Sequence, residues 1–180
     1  MKGVIFCEFV TMVEDRFGLE VLDSMLDTDQ LASGGAYTAV GTYDFSEMAI
    51  LVGRLSKLVD IAVPDLLQAY GEYMFGHLIT AFPHISSQLD SDPFTMLTQV
   101  DQLIHVEVAK LYPDAELPQL SHTIINDQEM HLHYQSCRPM ARFAKGMLLG
   151  CSKHHNNSFT VEIQTDGADE QSAATFILRR

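Results

Sequence analysis

The sequence predicts an α+β fold: helices first, then a small, about four-stranded antiparallel sheet. Two observations carry this. Apolar residues recur at helical spacing from the N-terminus to about residue 112. Beyond that, two pairs of strand-like segments flank one amphipathic helix.

The first helix carries Ile5, Phe9, Met12, Val13 and Phe17 on one face and stops near Gly18. A short helix follows over Leu19 to Leu26. Ser33-Gly34-Gly35 reads as a loop. Asp44 is an N-cap for a helix from Phe45 to Val59. Pro64 suits the first turn of the next helix, which carries Leu66, Leu67, Tyr70, Met74, Leu78 and Ile79. Gly71 and Gly76 lie inside it, each costing about 1 kcal/mol against Ala, and so point to close packing, a bend or a pivot. Asp92-Pro93 opens a helix that runs to about Tyr112 and stops at Pro113. Leu120 to Asn126 and Glu129 to Ser136 read as strands joined by a turn at Asn126-Asp127. Pro139 starts a helix with Met140, Phe143, Ala144, Met147, Leu148 and Cys151 on one face. Ser158 to Gln164 and Ala173 to Leu178 complete the sheet around a turn at Asp166-Gly167.

Composition limits the function. The chain has 180 residues, 24 Asp and Glu, 11 Lys and Arg, and a net charge of -13. Such an acidic chain lacks the basic footprint that nucleic-acid binding needs, and an anionic membrane leaflet would repel it. With no apolar run of about 18 residues, no membrane span is expected. Glu8, Glu14 and Asp15 interrupt the N-terminal apolar segment, which therefore does not read as a signal peptide. Cys7, Cys137 and Cys151 are too few and too scattered for a disulfide framework, and they suit a reducing cytoplasm.

Two constellations carry chemistry. His105 lies at the edge of its helix's apolar stripe, beside Asp101, Ala109 and Tyr112 on the helical wheel. A neutral imidazole there suits axial ligation of a haem iron. Tyr134, Ser136 and Arg138 stand at i, i+2 and i+4, which places all three on one face of an extended strand. Two hydroxyls and a guanidinium fork form a carboxylate-binding set.

These landmarks, with MKGVIF at the N-terminus and HVEVAKLYPDAELP around the histidine, resemble the H-NOX family of haem-nitric oxide/oxygen binding domains. The resemblance covers essentially the whole chain, 1–180, as one domain. It implies a helical lobe over about 1–62 and a haem-ligating lobe over about 63–180, with the haem between them. It further implies that the cofactor is haem b (iron protoporphyrin IX), that His105 is the proximal ligand, and that Tyr134, Ser136 and Arg138 hold the propionates. Ile5 and Pro118 match positions that pack on the porphyrin, and Gly71 matches a glycine that acts as a pivot. Oxygen-holding members carry a distal Tyr with polar support; the matching positions here are Phe143, Phe9 and Met74, and none donates a hydrogen bond. Loss of such a charge-assisted bond, worth about 1.5–3 kcal/mol, lowers dioxygen affinity by about one to two powers of ten. An inward-turned Tyr70 or Tyr73 would restore a donor.

The expected protein is thus a nitric oxide sensor, also open to carbon monoxide, and not an enzyme. The resemblance implies two states: nitric oxide breaks the bond from iron to His105, and the freed helix shifts one lobe. The resemblance to stand-alone bacterial members implies a separate partner, a histidine kinase or a diguanylate cyclase or phosphodiesterase. The competing reading is a zinc-binding or thiol redox-responsive regulator. It draws on His131, His133, Cys137, Cys151, His154 and His155 as donors, with Cys137 and Cys151 as the thiols.

Overall fold

The computed structural model describes residues 1–81, 83, 90–164 and 172–180. The chain divides into two compact units, Met1–Tyr70 and Gly71–Arg180. The described residues contain seven α-helices, one π-helical turn and a four-stranded antiparallel sheet.

The first unit is helical. Helix α1 spans Gly3–Phe17 and ends at Gly18, whose φ of 85° suits a residue without Cβ. Helix α2 (Leu19–Leu26) follows at once. Its last carbonyls are satisfied from α3 (Phe45–Val59): Arg54 donates to Met25, Ser24 and Asp27 oxygens at 3.0, 2.7 and 2.8 Å. Asp44 caps α3 as predicted, accepting from the Ser46 N–H at 2.7 Å. Phe6, Phe9, Met12, Val13, Met25, Leu51, Leu55 and Tyr70 are buried within this unit. Phe6 stacks on Tyr37 with ring centroids 4.6 Å apart and meets Tyr43 edge-on.

The buried carboxylate of Glu47 is fully engaged by the loop after α2. It accepts from the Ser33 hydroxyl at 2.5 Å, the Ser33 N–H at 3.2 Å and the Tyr37 hydroxyl at 2.8 Å. Burial first, and then the carboxylate it faces, push the Tyr37 hydroxyl up to about 12.

Helix α4 (Val63–Ala81) carries Pro64 in its first turn, and the division between the units falls inside it. In the second unit, α5 (Pro93–Thr98) is capped by Asp92, which accepts from the Thr95 N–H at 2.9 Å. A π-helical turn over Val100–Ile104 follows, then α6 (His105–Leu111). The single helix expected from Asp92 to Tyr112 is therefore broken into three pieces. The apolar spacing of Leu97, Val100, Ile104 and Val108 is compatible with either arrangement, so periodicity does not reveal the extra residue in the turn.

Strands β1 (Gln119–Asn126) and β2 (Glu129–Gln135) form a hairpin. Its turn is closed by the Gln128 N–H donating to the Asn126 side chain at 2.8 Å. Helix α7 (Ala141–His154) lies between β2 and β3 (Thr160–Gln164), and β4 (Ala173–Arg179) ends the sheet, whose order is β1-β2-β4-β3. The turn expected at Asp166-Gly167 lies outside the described residues. Helix α7 starts two residues after Pro139, which sits in a bend closed by the Met140 N–H on the Arg138 carbonyl at 2.8 Å.

Even-numbered β2 residues Met130, Leu132 and Tyr134 join Leu148, Cys151, Phe159, Phe176 and Leu178 in one core. Odd-numbered residues face away from it. Gly71 touches α7: a Cβ there would collide with the Phe143 carbonyl and lie 2.8 Å from the Met147 nitrogen. From the facing helix, a Cβ on Gly150 would lie 2.7 Å from the Phe75 Cβ. Gly76, grouped with Gly71 from sequence, has open space around it among the described residues, so close packing does not account for it. No helix among the described residues is long and apolar enough to cross a membrane.

Candidate haem site

The π-turn delivers His105. The His105 N–H donates to the Val100 carbonyl five residues back, and the imidazole opens α6. Its Nδ1 lies 2.6 Å from Asp101 Oδ1. A carboxylate carries no proton to give, so Nδ1–H donates; in the neutral form of the ring the lone pair is then on Nε2. Nε2 has no hydrogen-bond partner among the described residues, and the side chain is 18% exposed. An imidazole oriented in this way fits an iron ligand. The wheel placed Asp101 beside His105, but sequence reasoning gave it no role.

Tyr134, Ser136 and Arg138 come together by a route other than the expected one. The strand ends at Gln135, so the three do not share one pleated face. The Ser136 N–H extends the pairing by donating to the Ser172 carbonyl at 2.8 Å. The Ser136 hydroxyl then accepts from the Arg138 N–H at 3.1 Å and turns the chain. Burial raises the Tyr134 hydroxyl above its ordinary value, while a hydrogen bond with Ser136 and the nearby Arg138 charge oppose the rise. The Arg138 guanidinium forms an ion pair with Glu116 and also donates to the Glu116 carbonyl at 3.0 Å. Arg138 thus holds a carboxylate of the chain itself. Glu116 was missed, since no local pattern marks a partner 22 residues away. A pocket of about 660 Å³ at this end of the sheet has Asp101, Leu120, Ser121, His133 and Tyr134 in its walls. It brings the His105 partner and the first residue of the Tyr-Ser-Arg set to one place.

The remaining site candidates lie as follows. In the first unit, Phe9 is fully buried with its ring edge-on to Tyr70 at 5.1 Å. The Tyr70 hydroxyl donates to the Ile5 carbonyl at 2.5 Å, so its one proton is already engaged. In the second unit, Met74 is buried, Phe143 is half-buried, and Pro118 is half-buried just before β1.

The competing donors do not converge. His131 faces Glu129 at 2.8 Å, and His133 lies between Thr123 and Thr175 at 3.2 and 3.1 Å. No group of three or more His, Cys, Asp or Glu suited to a metal ion occurs among the described residues. Burial pushes the Cys151 thiol up to about 12, which keeps it protonated and unreactive at neutral pH.

Comparison with known proteins agrees with this geometry. A family model described as Haem-NO-binding matches residues 2–163. The unliganded Fe(II) H-NOX protein from K. algicida is 37% identical with a TM-score of 0.90, over 99% of this chain and 96% of that one. The H-NOX from Shewanella woodyi, solved with IWP-051 in the Fe(II)CO state, is 39% identical with a TM-score of 0.84, over 100% and 94%. An Fe(II)NO H-NOX from S. oneidensis, 23% identical with a TM-score of 0.85 over 99% and 98%, shares the fold. Among curated proteins no significant match is found. The chain belongs to the haem-NO-binding (H-NOX) family, whose fold is a haem-binding gas-sensor domain.

Proposed function

We propose that this chain senses nitric oxide at a ferrous haem, does not hold dioxygen, and regulates a separate signalling protein. The observation that carries the reading is His105, fixed by Asp101 with Nε2 left as its metal-binding atom. When bound, the haem would supply an iron able to take nitric oxide or carbon monoxide. Nε2 of His105 is the protein's ligand to it. Tyr134, Ser136 and Arg138 hold the propionates, with Arg138 exchanging Glu116 for a cofactor carboxylate. Ile5 and Pro118 pack on the ring. Phe9, Met74 and Phe143 offer no hydrogen-bond donor on the ligand side, and the Tyr70 hydroxyl is engaged by Ile5. Gly71 is the pivot of the response. The likeness to Fe(II)CO and unliganded Fe(II) H-NOX proteins supports haem ligation and gas binding.

The regulated protein is a histidine kinase or a diguanylate cyclase or phosphodiesterase. The net charge of -13 favours a partner with a basic docking face, since complementary fields speed encounter and fix register.

The test is absorption spectroscopy of the reduced, haem-loaded protein. The expected result is five-coordinate ferrous haem that is unchanged by oxygenated buffer and converts to a five-coordinate nitrosyl spectrum. A stable oxygenated spectrum in air overturns the selectivity. Phe143→Tyr tests the same wall from the other side: it is expected to raise dioxygen affinity by about one to two powers of ten, the worth of one charge-assisted hydrogen bond.

A further inference from the structure

We infer that Asp101 is the positioning residue of the sensor, a clasp that sets the strength of the His105 bond and ties His105 to the sheet. The inference rests on the reading of His105 as a haem ligand and deepens it.

Three observations carry it. The first is that the carboxylate is divided between two jobs. Oδ1 lies 2.6 Å from His105 Nδ1, and Oδ2 accepts from the Leu120 N–H at 3.1 Å. Leu120 sits on β1, an edge strand of the sheet, and follows Pro118 by two residues. One side chain thus joins the imidazole to the sheet backbone.

The second is the π-turn itself. Val100–Ile104 takes an extra residue into the turn, and such turns are rare and cluster at functional sites. In a regular helix, residue i+4 lies about 40° past residue i. Here Asp101 lies inside the wider turn and His105 closes it, and the two side chains meet at 2.6 Å. The clasp is the local gain that accompanies the irregular backbone.

The third is the absence of a competing cation. Among the described residues, Asp101 has no partner other than His105 and Leu120, and no Lys or Arg draws its charge away. Its charge is therefore directed at the imidazole. A carboxylate on the far nitrogen of a metal-bound histidine raises the basicity of the ligating nitrogen. Asp101 would then strengthen a bond from Nε2 to iron, and it ties the imidazole to β1 whether or not that bond is made. Movement of α6 reaches the strand through this side chain.

The test uses the full haem-loaded ferrous chain with Asp101→Asn and Asp101→Ala. Asn retains an acceptor for Nδ1–H, but its amide nitrogen cannot accept from Leu120 and its charge is gone. Resonance Raman spectroscopy reads the Fe–His stretch, and titration of the apo-protein with haem reads affinity. The expected result is a lower stretching frequency in both variants, lower in Ala than in Asn. Haem affinity should fall by about 10–100-fold, the usual cost of losing a partner behind a metal ligand, with native far-UV circular dichroism. Loss of haem from a folded variant also supports the clasp. Wild-type frequency in the variants that retain haem overturns it. So does loss of native circular dichroism in both, because Asp101 would then hold the fold rather than the imidazole. A wild-type chain that takes up no haem defeats the functional reading itself. A wild-type chain that loads haem through His105, with variants that keep its spectrum, defeats this inference alone.

Discussion

The polar cluster of the first unit and the candidate site of the second hold their polar groups in opposite ways. In Met1–Tyr70, polar groups close on one another: Glu47 is engaged by Ser33 and Tyr37, and the Tyr70 hydroxyl by the Ile5 carbonyl. In Gly71–Arg180, Ser152 closes on Phe159 in the same way, but the candidate site residues are held by a partner and keep binding capacity. His105 is gripped at Nδ1 and free at Nε2 among the described residues, and Arg138 rests on an exposed glutamate. The first arrangement satisfies every donor and fixes a shape. The second orients polar groups that keep capacity for a further partner. The difference separates residues whose loss should change stability from residues whose loss should change cofactor binding.

The largest expected effect tests the second kind. His105→Gly is expected to abolish haem retention, read as loss of the Soret band, and added imidazole should restore it. Its apo-protein should melt near the wild-type temperature. Full haem retention without imidazole would break the ligand assignment. Phe6→Ala tests the first kind. Phe6 is fully buried between Tyr37 and Tyr43, and truncating a core Phe costs about 3–5 kcal/mol. Chemical denaturation should show that loss.

Gly71→Ala sharpens the comparison at the division itself. The added methyl meets the Phe143 carbonyl, and overpacking of this kind costs about 1–3 kcal/mol. A neutral result in thermal melts would mean that α4 and α7 separate easily. The smallest effect concerns acid. Burial raises the Asp92 carboxyl, but hydrogen bonds from Thr95 and the charge of Arg180 outweigh it and hold the group below its ordinary value. A carboxyl depressed in the folded state contributes stability above its unfolded value and loses it as pH falls through the folded one. Asp92→Ala, which removes an N-cap worth about 0.5–2 kcal/mol, should therefore cost more at pH 7 than at pH 3 in urea titrations.

Where information is local, the sequence was a good guide. The bounds of α2 and α3, the Asp44 and Asp92 caps and the β1–β2 hairpin follow from periodicity, capping chemistry and turn residues within a few positions. The π-turn was invisible because the apolar stripe tolerates one more residue per turn. For the Tyr-Ser-Arg set the expected geometry fails: the strand ends at Gln135. Strand spacing puts the three on one face, but the Ser136 hydroxyl captures the Arg138 N–H and bends the chain first. Glu116 and the Leu120 N–H were out of reach because each meets its partner across about 20 residues of folded chain. The resemblance to a family nominated the candidate residues; the structure shows which other residues hold His105 and Arg138.

The glycines between α4 and α7 have a mechanical consequence. At Gly71 the backbone of one helix bears on the backbone of the other; at Gly150 the nearest atoms across the contact are the Phe75 side chain and the Glu72 carbonyl. Side-chain contacts can absorb a small displacement by changing rotamer. Main chain against main chain has no rotamers to change. A push on α4 at this point therefore moves α7 without slack, as in a stiff bearing, and any enlargement at either glycine introduces play. This pair sets how faithfully a small displacement is passed from one helix to the next.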